Sequence, residues 1–128
     1  NIYHEARNQP LVGKLAVGLV TLNRVKDVRF PNTICGVVYQ GSYSNNAPIK
    51  NRCHFSWWCD GKSDKPKDLQ SWNKSLDLSQ KLYEGFFDGL NLVRGATHYH
   101  ATYVTPYWAY KKKKVKIIAD HVFYRWEK

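Results

Sequence analysis

A stretch of apolar residues in the first quarter of the chain recurs at helical spacing and is preceded by a proline. Leu11, Val12, Leu15, Ala16, Leu19 and Leu22 fall at the three-and-four intervals of one helix face, which predicts a helix from about Leu11 to Val25. Lys14, Thr21, Asn23 and Arg24 interrupt it, and no run reaches the ~18 apolar residues of a membrane span. Residues 2–7 read as the end of a separate helix, closed by Asn8 and Pro10. Two helices broken at a proline must bury their apolar faces against something, and the rest of the chain has to supply it.

That remainder reads as short elements. Phe30-Pro31-Asn32-Thr33 marks a turn, with Asn32 or Thr33 as cap of a short helix through Tyr39. Residues 41–51 are rich in turn formers and read as a loop. His54–Trp58 reads as part of a small strand or hairpin, and 61–68 as a polar loop. Ser71–Phe87 reads as a third long helix ended at Gly89. Ala96–Val104 reads as extended, and Lys114–Arg125 as a closing strand. Helices first, with short strands inserted between them, make an α+β class.

The chain has 128 residues, enough for one domain, 1–128, with a core and a groove. Its hydrophobic share is 43%, with five Trp, nine Tyr and five Phe, which excludes a disordered tail. It opens without Met or a signal-peptide pattern and inside a helix, so the expectation is a processed or trimmed chain lacking part of that helix. The net charge of +10 favours an anionic partner: nucleic acid, acidic lipid or an acidic wall polymer. Lys111–Lys114 is the only dense run, either a solvated loop or a contact patch. Of the three cysteines, Cys53 and Cys59 flank a short aromatic segment and suit a bridge. Cys35 can pair with either, and three reduced thiols are the remaining alternative.

Only three Glu occur: Glu5, Glu84 and Glu127. Glu84 reads as an exposed helix-face charge, and Glu127 as a solvated residue near the end of the chain. Glu5 lies in the last turn of its helix, where the dipole favours cations. Arg7 suits that position and Glu5 does not, so Glu5 stands out.

The segments gain meaning in order. Glu5-Ala6-Arg7 is followed by Gly13-Lys14-Leu15-Ala16-Val17-Gly18 and Val20-Thr21-Leu22-Asn23-Arg24-Val25. Then come Phe30-Pro31-Asn32-Thr33-Ile34-Cys35-Gly36-Val37-Val38-Tyr39-Gln40, Phe55-Ser56-Trp57 and Cys59-Asp60-Gly61. Gly95-Ala96-Thr97-His98-Tyr99-His100, Trp108 and His121-Val122-Phe123-Tyr124-Arg125 complete the set. Over residues 2–125 this order resembles the SleB/CwlJ-type cell-wall hydrolase family, which includes spore cortex-lytic enzymes. The resemblance implies a lysozyme-like, transglycosylase-like single domain with a helical body and a small β element lining a sugar groove. It implies that Glu5 is catalytic. It also implies cleavage of peptidoglycan between N-acetylmuramic acid and N-acetylglucosamine, with characterised members resembling lytic transglycosylases. One departure is local: a common form of the motif has Gly before the Glu and Gly-Glu after the Arg, whereas His4 precedes and Asn8-Gln9 follow here. A second carboxylate near Glu5 in sequence is therefore missing.

The chemistry agrees with a single acid. Breaking a glycosidic bond requires protonating a poor leaving group, by a carboxylic acid that apolar surroundings keep protonated. A two-carboxylate mechanism needs a partner about 5 Å away for retention or roughly 6.5–9.5 Å for inversion. Asp60 is the best sequence candidate for that muramidase-type alternative, although an Asp before Gly61 also suits a plain turn. In a lytic transglycosylase the muramic C6 hydroxyl captures the glycosyl cation, giving a 1,6-anhydro end. Glu5 then serves as acid and afterwards as base.

Candidate substrate-binding residues are Phe55, Ser56 and Trp57, with Phe55 and Trp57 sharing one face if the segment is a strand. Tyr99 with His100 form a second cluster, Trp108 a third, and Gln40 can hydrogen-bond an acetamido group. His98 and His100, at i and i+2, suit a zinc site with His4, His54 or His121, yet no HExxH spacing occurs, and neither a metal nor a cofactor is expected. His121 is expected to pack beside the closing strand, and Asn23 and Arg24 to cap carbonyls or hold the Glu5 loop. The expected partner is peptidoglycan, met by a monomer that is secreted, periplasmic, or wall- or virion-associated, with no obligatory nucleic acid. A metal-dependent wall amidase and a basic non-enzymatic module for wall polymer or nucleic acid are the competing readings.

Overall fold

The computed structural model describes residues 1–127. Its helices are α1 (Ile2–Ala6), α2 (Leu11–Lys26), α3 (Ile34–Val38) and α4 (Leu69–Tyr83). A hairpin of β1 (Gly41–Ser44) and β2 (Ala47–Cys53) stands apart from a second sheet. That sheet contains β3 (His98–Ala101), β4 (Lys113–Ile118) and β5 (His121–Arg125), all antiparallel in the order β3-β5-β4. The class is α+β, as expected.

The long helix α2 is the hub. Ala16, Val17 and Val20 are fully buried, and Leu15, Leu19 and Val20 join Ile2, Leu78, Leu82, Ile118 and Phe123 in the main core. Gly18 lets the helices close: a Cβ there would sit 2.4 Å from Leu82 Cδ1 and 3.1 Å from Ile2 Cδ1. The helical face read from the sequence holds from Leu15 onward but not at its start, since Leu11 is 69% exposed. Periodicity reports which face is apolar, not how far a neighbour extends along it, and α1 is only five residues long. A smaller cluster of Phe30, Val37 and Phe55 continues the core, with Val25, Trp57 and Tyr99 against it.

Helix boundaries follow local chemistry. Of the two cap candidates for α3, Thr33 serves, its hydroxyl accepting the Gly36 N–H at 3.0 Å. Asp68 accepts the Ser71 N–H at 3.1 Å and starts α4 two residues before the predicted onset. Gly85, at φ +88°, ends that helix before Gly89: the Phe86 N–H bonds the Lys81 carbonyl, and the Gly85 N–H bonds that of Leu82.

Three further expectations are corrected. Residues 41–51 are not a loop but most of the β1–β2 hairpin, closed by Asn45 and Asn46 at φ 53° and 64°. Two consecutive left-handed residues make the turn that matches strand twist. The hairpin buries little, so it lacks the alternating pattern that identifies a strand. His54–Trp58 is not a strand: Ser56–Cys59 forms a 3-10 turn inside the Cys53–Cys59 disulfide, and Cys35 stays free and exposed. A closure this short favours a compact turn over an extended segment. The closing segment is two strands, β4 and β5, joined by a reversal at Ala119, φ 51°. The lysine run therefore falls partly on β4, an edge strand, with Lys113 and Lys114 exposed. Charged side chains there discourage edge-to-edge pairing.

Candidate active site

Glu5 lies at the end of α1, partly buried, and lines a cleft of ≈ 280 Å³ with His4, Arg7, Gln9, Asp120 and His121. The Tyr99 hydroxyl donates a hydrogen bond to Glu5 Oε1. Strand alternation explains how Tyr99 reaches it. Tyr99 pairs with Phe123 across β3 and β5, and its ring packs on Phe123 and, edge-on at 5.1 Å, on His121. His98 and His100 occupy the other face of β3.

That alternation corrects the grouping of Tyr99 with His100. His100 stacks on Tyr124 and meets Trp108, away from the Tyr99 face. Its Nδ1 donates to the Ala101 carbonyl at 2.7 Å, and its Nε2 lies 2.8 Å from the Tyr124 hydroxyl. Trp108 packs between His98, His100 and Tyr124. The structure therefore places His100 and Trp108 in a cluster of their own.

Burial is the largest influence on Glu5 and raises its pKa above the ordinary carboxylate value. The Tyr99 hydrogen bond and the Arg24 charge pull the other way. Arg24 is 6% exposed and sits at the end of α2, where its Nε donates to the Thr97 carbonyl at 2.6 Å. Its guanidinium lies over the rings of Phe30 (5.0 Å) and Phe55 (5.1 Å), and Nη1 has no hydrogen-bond partner among the described residues. Asn23 Nδ2 donates to the Ala96 carbonyl at 2.9 Å. Both side chains tie α2 to the approach of β3, and so help to hold Tyr99 over Glu5.

The aromatic candidates separate. Phe55 is 3% exposed and packs in the core under Arg24, which leaves its ring no open face. Once the strand becomes a 3-10 turn, Phe55 and Trp57 no longer share a face by alternation. Ser56 is exposed at the start of that turn. Trp57 stacks on His4, the neighbour of Glu5, at 4.3 Å and 18°, and its Nε1 donates to Asn1 Oδ1 at 2.8 Å. Trp58 and Tyr39 extend this strip, with ring centroids 4.2 Å apart, and Trp58 Nε1 donates to the Tyr43 hydroxyl at 2.9 Å. Sequence reading missed Trp58, Tyr39 and the cleft-lining Tyr103, although Trp58 adjoins a residue it chose. Gln40 Oε1 is buried without a partner among the described residues, which closes it to a substrate acetamido group in this conformation.

Asp60 Oδ1 accepts the Lys62 N–H at 2.8 Å, the turn role of an Asp before Gly61. Among the described residues, no three His, Cys, Asp or Glu side chains form a group able to hold a metal. His98 approaches the Thr97 hydroxyl through Nδ1, and its pKa is depressed to about 3 by burial first, then by Arg24 and Lys112.

The family model described as Cell Wall Hydrolase matches residues 8–124, starting just after Glu5. A spore cortex-lytic enzyme of Halalkalibacterium halodurans is 28% identical over 123 residues, 95% of this chain and 32% of the relative. One from Bacillus cereus is 26% identical over 95% of this chain and 40% of the relative. The chain thus spans two-fifths or less of the length of these relatives. The catalytic domain of the germination-specific lytic transglycosylase SleB from Bacillus anthracis superposes with a TM-score of 0.67 at 26% identity, covering 97% of this chain and 87% of that one. The catalytic domain of the Bacillus cereus SleB protein gives 0.62 at 26% identity, covering 97% and 83%.

Proposed function

This chain belongs to the cell wall hydrolase family, and from that premise we propose that it is a peptidoglycan lytic transglycosylase with Glu5 as its acid and then its base. The observation that carries the reading is a carboxyl group whose pKa burial raises, held by Tyr99 and opening on a cleft. Protonated Glu5 gives its hydrogen to the glycosidic oxygen between N-acetylmuramic acid and N-acetylglucosamine as the bond from the muramic anomeric carbon breaks. An oxocarbenium-like centre forms at that carbon. Glu5, now a carboxylate, takes the proton of the muramic C6 hydroxyl as that oxygen bonds to the anomeric carbon. A 1,6-anhydro end results, and Glu5 is protonated again. Burial serves the acid half of this cycle. Tyr99 and Arg24 stabilise the carboxylate between the halves, so the proton is not held too tightly.

One carboxylate suffices because no water has to be activated, and Asp60 is engaged in its own turn. Trp57, Trp58 and Tyr39 offer ring faces beside His4. The basic surface suits an acidic wall, and the enzyme acts there, outside the cytoplasm, as a monomer. Mass spectrometry of digested glycan strands tests the reading. Muramic ends one water lighter than hydrolysis products are expected, and ordinary reducing ends alone would refute it.

A further inference from the structure

Gln9 and Asp120, 111 residues apart, join two walls of the Glu5 cleft. Gln9 Nε2 donates to Asp120 Oδ2 at 3.2 Å, and the Asp120 backbone N–H donates back to Gln9 Oε1 at 3.1 Å. Both ends of the amide are used, so the pair has one orientation: a flip would set oxygen against carboxylate and NH2 against N–H. Gln9 follows Glu5 by four residues in the segment joining α1 to α2. A Cβ on Gly13 would come within 3.0 Å of Gln9 Cβ and 3.6 Å of Gln9 Oε1, so the glutamine lies against bare backbone of α2, which restricts its rotamers. Asp120 occupies the β4–β5 turn, tied to the end of β3 by the Thr102 N–H on its carbonyl at 2.8 Å. The next residue, His121, packs on Tyr99, the donor to Glu5.

We propose that the Gln9–Asp120 pair is a positioning clamp. It sets the separation between the end of α1 and the three-stranded sheet, and so keeps the Glu5 carboxyl on the Tyr99 hydroxyl and aimed into the cleft. The proposal rests on the reading of Glu5 as the acid. An exposed pair of this kind adds little to global stability, and its leverage is geometric. Misplacing a catalytic group by about 1 Å can lower turnover a hundredfold while substrate still binds.

The reciprocal bonds supply their own test, on soluble glycan oligomers of alternating N-acetylglucosamine and N-acetylmuramic acid. Gln9→Ala removes the clamp, and Gln9→Glu faces Asp120 with a second carboxylate. Combining Gln9→Glu with Asp120→Asn exchanges carboxylate and amide and restores both bonds. In each single Gln9 variant kcat is expected to fall about tenfold with KM within about twofold, at a temperature where every variant is folded. The exchanged pair should recover most of that kcat, which separates lost geometry from the added charge at position 9. Wild-type kcat in both single variants, an exchange that recovers nothing, or losses that track a falling thermal midpoint would each overturn the clamp. If Glu5→Gln cleaves like wild type, the reading of Glu5 falls and the clamp with it. If Glu5→Gln is inactive while the Gln9 variants are not, the clamp alone falls.

Discussion

Around Glu5, helices α1 and α2 and the three-stranded sheet bury Arg24 and Phe123 and half-bury Tyr99, whereas the β1–β2 hairpin leaves most of its residues to solvent and is tied down by the Cys53–Cys59 disulfide. In the first region side-chain geometry follows from packing, and excluding water is also what raises the Glu5 pKa. In the second, shape follows from turn chemistry at Asn45–Asn46 and from a covalent link. The aromatic strip of Trp57, Trp58 and Tyr39 lies where the two meet. A site can thus combine a partly desolvated acid with an aromatic strip at the edge of a hairpin, each built by a different force.

The largest expected effect tests the region around Glu5. Glu5→Gln should lower glycan cleavage about 10³-fold, within the usual range for removing an acid–base group. Release of soluble muropeptides measures it. The same variant carries a stability signature. The folded pKa of Glu5 is raised, so its protonated form favours folding fully below the unfolded value of 4.5, and that contribution is lost as pH rises through the folded pKa. Thermal midpoints of Glu5→Gln and wild type should therefore coincide below about pH 4.5 and diverge above it, with the variant the more stable. A constant gap at every pH would mean that the carboxyl is not desolvated.

Next in size is Tyr99→Phe, which keeps the ring on Phe123 and His121 but removes the donor to Glu5. Activity should fall about ten- to a hundredfold, the worth of a hydrogen bond to a charged group. Because that bond lowers the Glu5 pKa, the alkaline limb of the pH–rate profile should move to higher pH.

Smaller effects are expected on the hairpin side. Replacing Cys53 and Cys59 by Ser should cost about 2 kcal/mol in urea unfolding, given the short loop they close. Proteolysis should then begin within 41–59 while the Tyr99–Glu5 region persists. Asn46→Gly, at φ 64°, should stabilise the hairpin by about 0.5 kcal/mol or less. Loss of the whole fold on reduction would erase the contrast between the two regions.

How much was legible in the sequence follows the same division. Helices α1 and α2 and the extended segment at β3 were legible, because each depends on local spacing. The hairpin was not, since polar strands exposed on both faces leave no period of two to read. The separation of Tyr99 from His100 needed the register of β3 on β5. Neighbours in sequence look like neighbours in a site, and a strand sends them to opposite faces.

The order of residues by itself determined a broken helix with a glutamate at its end, an apolar helix to pack beneath it and aromatic residues to surround it. Folding alone decided which tyrosine meets that glutamate, that Arg24 is buried where its charge acts on it, and that Asp120, 115 positions downstream, borders the same cleft. The physical reason is that proton affinity depends on what surrounds a group in space. Desolvation, a hydroxyl donor and a buried cation are brought to Glu5 by strand pairing and helix packing, over separations that local periodicity does not encode.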